Sequence, residues 1–117
     1  MVSQLTEKIA HIPQAYEHQD KSTASLLEEA GLPGHREELS VEEVEQVLRE
    51  EPDLARLWLG RGGDQRFSGG WGIERTGREY KLLNFADGGS LSFRDRAHAV
   101  AEFAVRYIRF IDEMRRH

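Results

Sequence analysis

The chain has 117 residues, 38% hydrophobic and 32% charged, with 16 Lys or Arg against 21 Asp or Glu and no cysteine. That length suits one domain with a modest core, and the absence of cysteine excludes a disulfide framework, a zinc–thiolate site and a cysteine nucleophile. No segment approaches the roughly 20 apolar residues that cross a bilayer, and Met1 to Lys8 lacks a basic stretch followed by an apolar run, so the expected compartment is the cytoplasm.

Taken in chain order, Leu5, Ile9 and Ile12 fall at helical spacing, and Pro13 predicts that this first short helix ends near His11. Asp20 to Thr23 offers capping side chains for a second helix over Ala24 to Ala30, which Gly31-Leu32-Pro33-Gly34 stops. Ser40-Val41-Glu42-Glu43 has the form of a capping box, in which the serine oxygen meets the Glu43 amide and the Glu43 carboxylate reaches back to the serine amide. The helix that follows places Val41, Val44, Val47 and Leu48 inward and leaves Glu42, Glu43, Glu45, Arg49 and Glu50 mainly in water. Pro52 suits the first turn of a fourth helix, with Leu54, Leu57 and Trp58 for the core and Gly60 as its C-terminal punctuation.

Residues 60–72 hold six glycines in thirteen positions. Beyond them the period changes to alternation. Trp71, Ile73 and Arg75 share one face of a strand, with alternation favouring Trp71 in the core; Thr76-Gly77 turns into Glu79 to Phe85; Ala86 to Gly89 turns into Ser90 to Arg94. Three such strands need a cover, which the last segment supplies: Asp95 caps a helix with Val100, Phe103, Ala104, Tyr107, Ile108, Ile111 and Met114 on its apolar stripe. The expected fold is α+β in a single domain over 1–117: three or four short N-terminal helices in an acidic part (1–59), a Gly-rich joint (60–72), then a three-stranded antiparallel meander with a long C-terminal helix packed on it (73–117).

The two halves carry opposite charge. Residues 1–59 hold 5 Lys or Arg against 13 Asp or Glu, a balance of −8, and residues 60–117 hold 11 against 8, a balance of +3. An acidic surface steers the chain toward a basic partner. Little here points to catalysis. His11, His18, His35, His98 and His117 show no metal-ligand spacing, so no metal or other cofactor is expected. Ser68 lacks a nucleophile elbow, and the acidic pairs lie on solvated helices, so the chain does not read as an enzyme. The glycine loop with Arg61 and Arg66 could surround an anion or RNA, which is the alternative reading. The order of loop and helix is wrong for a phosphate loop, however, and the net charge disfavours nucleic acid.

Ile12-Pro13-Gln14-Ala15-Tyr16, Asp20-Lys21-Ser22 through Leu26-Leu27-Glu28-Glu29-Ala30-Gly31, Arg66-Phe67-Ser68-Gly69-Gly70-Trp71 and the closing stretch Ala99 to Tyr107 together resemble small bacterial immunity-like proteins, the toxin-neutralising partners of polymorphic or contact-dependent toxins. Gln65-Arg66 stands where that pattern has Lys-Arg. The resemblance implies a protein-binding module that occludes the active or substrate-binding site of a cognate toxin domain, such as a basic nuclease. The residues that fit such a partner are Glu42, Glu43, Glu45, Glu50 and Glu51.

Overall fold

Serine side chains open two of the helices. In the computed structural model, which describes residues 2–14, 23–62, 70–85 and 87–115, helix α1 (Gln4–Ala10) starts at Ser3, whose Oγ accepts the Thr6 amide at 3.1 Å. After α2 (Thr23–Ala30), Gly31 at φ +91° breaks the helix, and Pro33 cannot donate an amide hydrogen bond. The chain continues as two 3-10 turns, Leu32–Gly34 and Arg36–Glu38. Helix α3 (Val41–Glu50) starts at Ser40, whose Oγ accepts the Glu43 amide at 3.2 Å as the capping box predicts. Helix α4 is Pro52–Gly62, so it runs through Gly60 rather than stopping there. A glycine inside a helix costs about 1 kcal/mol relative to alanine, less than the burial of Leu54, Ala55 and Trp58 on the same helix returns. Among the described residues, four α-helices, a helical turn at 12–14 and the two 3-10 turns precede the sheet, more segments than the three or four expected.

The sheet has the expected order β1 (Trp71–Thr76), β2 (Glu79–Asn84), β3 (Ser90–Phe93), antiparallel throughout. Thr76 pairs with Glu79, leaving the two-residue turn Gly77-Arg78; Gly77 has φ +63° and Arg78 does not share that sign, the pattern a type II′ hairpin requires. Ile73, Leu82 and Leu91 stand in one cross-strand row, and Arg75, Tyr80 and Phe93 in another on the same face.

The C-terminal helix α5 (Arg96–Arg115) packs on all three strands, and also on α2, α3 and α4. It is a central element between sheet and helices rather than a cover for the sheet alone. Ala97, Ala99, Val100, Ala101, Phe103, Ala104, Val105, Tyr107 and Ile108 are all buried. Within that span only His98, Glu102 and Arg106 form a less buried line, four residues apart. Met114, expected on the apolar stripe, is 63% exposed because it lies beyond the packed part of the helix. Trp58 joins the two layers. It is fully buried, meets Phe103 and Tyr107 edge to face at centroid distances of 6.2 and 6.1 Å, and donates its Nε1–H to the Ala10 carbonyl at 2.9 Å.

Candidate functional site

Helix α3 buries Val44, Val47 and Leu48, which turns the acidic positions outward. Three of the five carboxylates expected to meet a partner are nevertheless used within the chain. Glu43 does not complete the capping box at Ser40: its Oε1 accepts the Ser3 amide at 2.7 Å. Ser3 sits at the start of α1, where backbone amides lack helical acceptors, and a carboxylate there satisfies one and ties α1 to α3. Glu45 accepts from Arg49 at 2.8 Å and lies 2.6 Å from His98 Nδ1. Glu51 lies 3.0 Å from His11 Nε2. Glu42 and Glu50 are exposed and, among the described residues, have no such partner. With Gln46 they form a line at positions i, i+4 and i+8 on the side of α3 away from its buried residues.

A connected run of charges crosses from α3 to the sheet. Arg49 grips both Glu45 and Asp95, the residue before α5. His98, beyond Glu45, has its Nε2 4.0 Å from Glu102, which binds Arg106 at 3.1 Å, and the Arg106 guanidinium lies 4.9 Å from the centre of the Trp71 ring. Trp71 is thus half-buried, its ring packed at the core margin under a cation rather than wholly inside. The Phe93 ring meets His98 edge to face at 5.1 Å. The four-residue spacings of Glu45 and Arg49, and of His98, Glu102 and Arg106, are the sequence signals for this network; the link from His98 to Glu45 spans 53 positions and has none.

The hydrogen bonds from His98 and then Arg49 hold the Glu45 carboxyl below the usual carboxylate range. A carboxyl with a lower folded than unfolded pKa stabilises the fold fully above the unfolded value, near 4.3 for Glu, and loses that contribution as pH falls through the folded value. Glu45→Gln is therefore expected to lower the urea midpoint near neutral pH and to flatten its decline in the acid range below about pH 4.3. Parallel midpoint curves for the two proteins across that range would contradict this.

A second charged cluster lies at the other end of α5. Asp112 is 6% exposed and is held by Arg36 through Nε at 2.5 Å and Nη2 at 3.0 Å. The two line a cleft of about 250 Å³ with Leu32, Leu39, Arg109 and Glu113. Arg109 donates to the Leu39 carbonyl at 3.2 Å, so both guanidinium groups are engaged in fixing the 3-10 segment against α5. Among the described residues, no Ser, Thr or His lines this cleft as nucleophile or base. His35, Glu37 and Glu38 bring one potential ligand atom each within 4.8 Å, a proximity the spacing of histidines did not show. His35 already lies 2.6 Å from Glu38, and all three side chains stand at the surface, so the group reads as a solvated pair on a turn. Arg66 and the Arg61 side chain, proposed above for an anion, lie outside the described residues. No helix among the described residues is long and apolar enough to cross a membrane. The chain matches no family model, no curated protein and no solved structure.

Proposed function

We propose that the chain is a non-enzymatic protein-binding module, and that it acts as an immunity protein, occluding the active or substrate-binding site of a basic toxin domain. The observation that carries this is the division of labour among the α3 carboxylates. Glu43 and Glu45 on this helix and Glu51 at its C-terminal end brace the fold, and Glu42 and Glu50, on its outer side, have no counterion among the described residues. A rigid helix that presents negative charge without an internal counterion speeds encounter with a cationic surface and imitates a polyanionic substrate. On this reading the surface that meets the partner centres on Glu42 and Glu50, with Gln46 between them.

A gene beside the one for this chain is expected to encode a large secreted protein ending in a toxic domain, and co-expression is expected to give a stable complex and protect the cell. Failure of the chain to bind or protect against that domain would remove the reading. In such a complex, reversing both charges (Glu42→Lys with Glu50→Lys) should slow association by about tenfold or more at low salt and weaken its salt dependence, measured by stopped flow over a range of ionic strength. Glu45→Lys should act differently, lowering stability, since its carboxylate is an internal partner.

A further inference from the structure

We propose that the chain forms a two-fold symmetric dimer by pairing the outer edge of β3 with the same edge of a second copy. This stands independently of the toxin reading. β2 occupies one side of β3, and among the described residues no strand pairs with the other. Edge strands in soluble proteins are commonly guarded by charge, proline or a bulge, and Ser90-Leu91-Ser92-Phe93 has neither charge nor proline. The core row meets this edge unfinished: Ile73 and Leu82 are 2% and 0% exposed, whereas Leu91, next in register, is 41% exposed.

The register shows how a second copy would fit this edge. The Asn84 amide donates to the Gly89 carbonyl at 2.9 Å, which marks these two as a hydrogen-bonded position of the ladder, although the return bond is replaced there by Gly88 N–H to the Asn84 carbonyl and Gly89 N–H to Asp87 Oδ1. Such pairs alternate along an antiparallel ladder, so the backbone groups of Leu91 and Phe93 point to β2 and those of Ser90 and Ser92 point outward. In a two-fold antiparallel pairing, Ser90 exchanges its outward bonds with Ser92 of the second copy, and Ser92 with Ser90. Leu91 then stands directly opposite Leu91 of the second copy on the core-facing side. The row Ile73, Leu82, Leu91 continues through the dyad into its own reverse. The same register sets Phe93 opposite Gly89 of the second copy. Gly89 lines a cleft of about 230 Å³ with Trp71, Asn84, Asp87, Ser90 and Leu91, and the Asp87 carboxylate, which accepts the Gly89 amide at 2.7 Å, must turn aside where that ring arrives. A four-residue edge buries less than a standard interface, so the dimer is weak and concentration-dependent.

The chain has no cysteine, which allows a direct test. Leu91 of the two copies would form a non-hydrogen-bonded pair with Cα atoms about 4.5 Å apart, within disulfide range. Leu91→Cys is expected to give a disulfide-linked dimer rapidly under mild oxidation. Ser92→Cys, which faces Ser90 rather than itself, should link at least tenfold more slowly. By sedimentation velocity between about 10 µM and 1 mM, the wild type should shift from monomer toward dimer, and Leu91→Glu should remain monomeric. Glu42→Lys with Glu50→Lys should associate like the wild type. Ser92→Pro, which removes an outward amide while keeping Leu91, should also remain monomeric. A wild type monomeric at every concentration, equal cross-linking of the two cysteine variants, or undiminished association of Leu91→Glu would overturn the proposal. So would a monomer that uses Leu91 to bind some other protein.

Discussion

Replacing Trp58 with alanine is expected to cost about 3 to 5 kcal/mol of folding stability, measured as the drop in unfolding free energy from urea titration. The side chain is fully buried, and its loss would leave a cavity bounded by Phe103 and Tyr107, which it meets edge to face. The indole also carries the hydrogen bond to the Ala10 carbonyl at the end of α1, so one residue joins α1, α4 and α5. Because domains of this kind are stable by only about 5 to 15 kcal/mol, the variant should be marginal at body temperature. Trp58→Phe separates the two contributions. It keeps most of the aromatic volume and removes the N–H, so it should cost about 1 to 3 kcal/mol, the range for an unpaired buried acceptor plus a small void. An alanine variant within about 1 kcal/mol of the wild type would mean that the packing between the sheet and the helical layer does not depend on this ring.

The parts of this fold legible in the sequence are those fixed by a few neighbouring residues. Ser40 caps α3, Gly77 makes the hairpin, and Trp71, Ile73 and Arg75 share a face, each through an interaction spanning six residues or fewer. The two buried sides of α5 are less legible. Ala99 and Ala101 suit a wet helix surface as well as a crowded one, because alanine is the best helix former in either setting and contributes little to an apolar pattern. The packing of helices on one side of α5 and strands on the other decides between the two. The acidic face shows the same limit. The sequence marks Glu43 only as a capping-box residue and all the carboxylates of α3 as mainly solvated, and what sorts Glu43 and Glu45 from Glu42 and Glu50 is the arrival of Ser3 and His98 from remote parts of the chain. The acidic residues could be placed on their helix from the sequence, but those left exposed could not be separated from those bound within the chain.

At Gly70, where the glycine-rich stretch enters the sheet, substitution by alanine is expected to cost about 1 to 3 kcal/mol, a large effect for adding one methyl group. Two separate causes act there. The residue has φ +77°, a conformation that disfavours any L side chain, and a Cβ would fall 2.7 Å from Cε2 of Phe110. Its carbonyl also accepts the Phe85 amide at 3.0 Å, so the backbone cannot rotate out of that conformation without losing the contact that closes the end of the β1–β2 ladder. Phe110 is only half-buried, and its ring can swing outward to relieve part of the clash. A double-mutant cycle with Phe110→Ala resolves the two causes. If the clash contributes, Gly70→Ala should cost less in the Phe110→Ala background, by about 0.5 to 1 kcal/mol, and the remaining cost is that of the positive φ. An unchanged cost in both backgrounds assigns the whole effect to the backbone. A Gly70→Ala variant as stable as the wild type would show that the entry to β1 does not need the left-handed conformation, and that this glycine is replaceable.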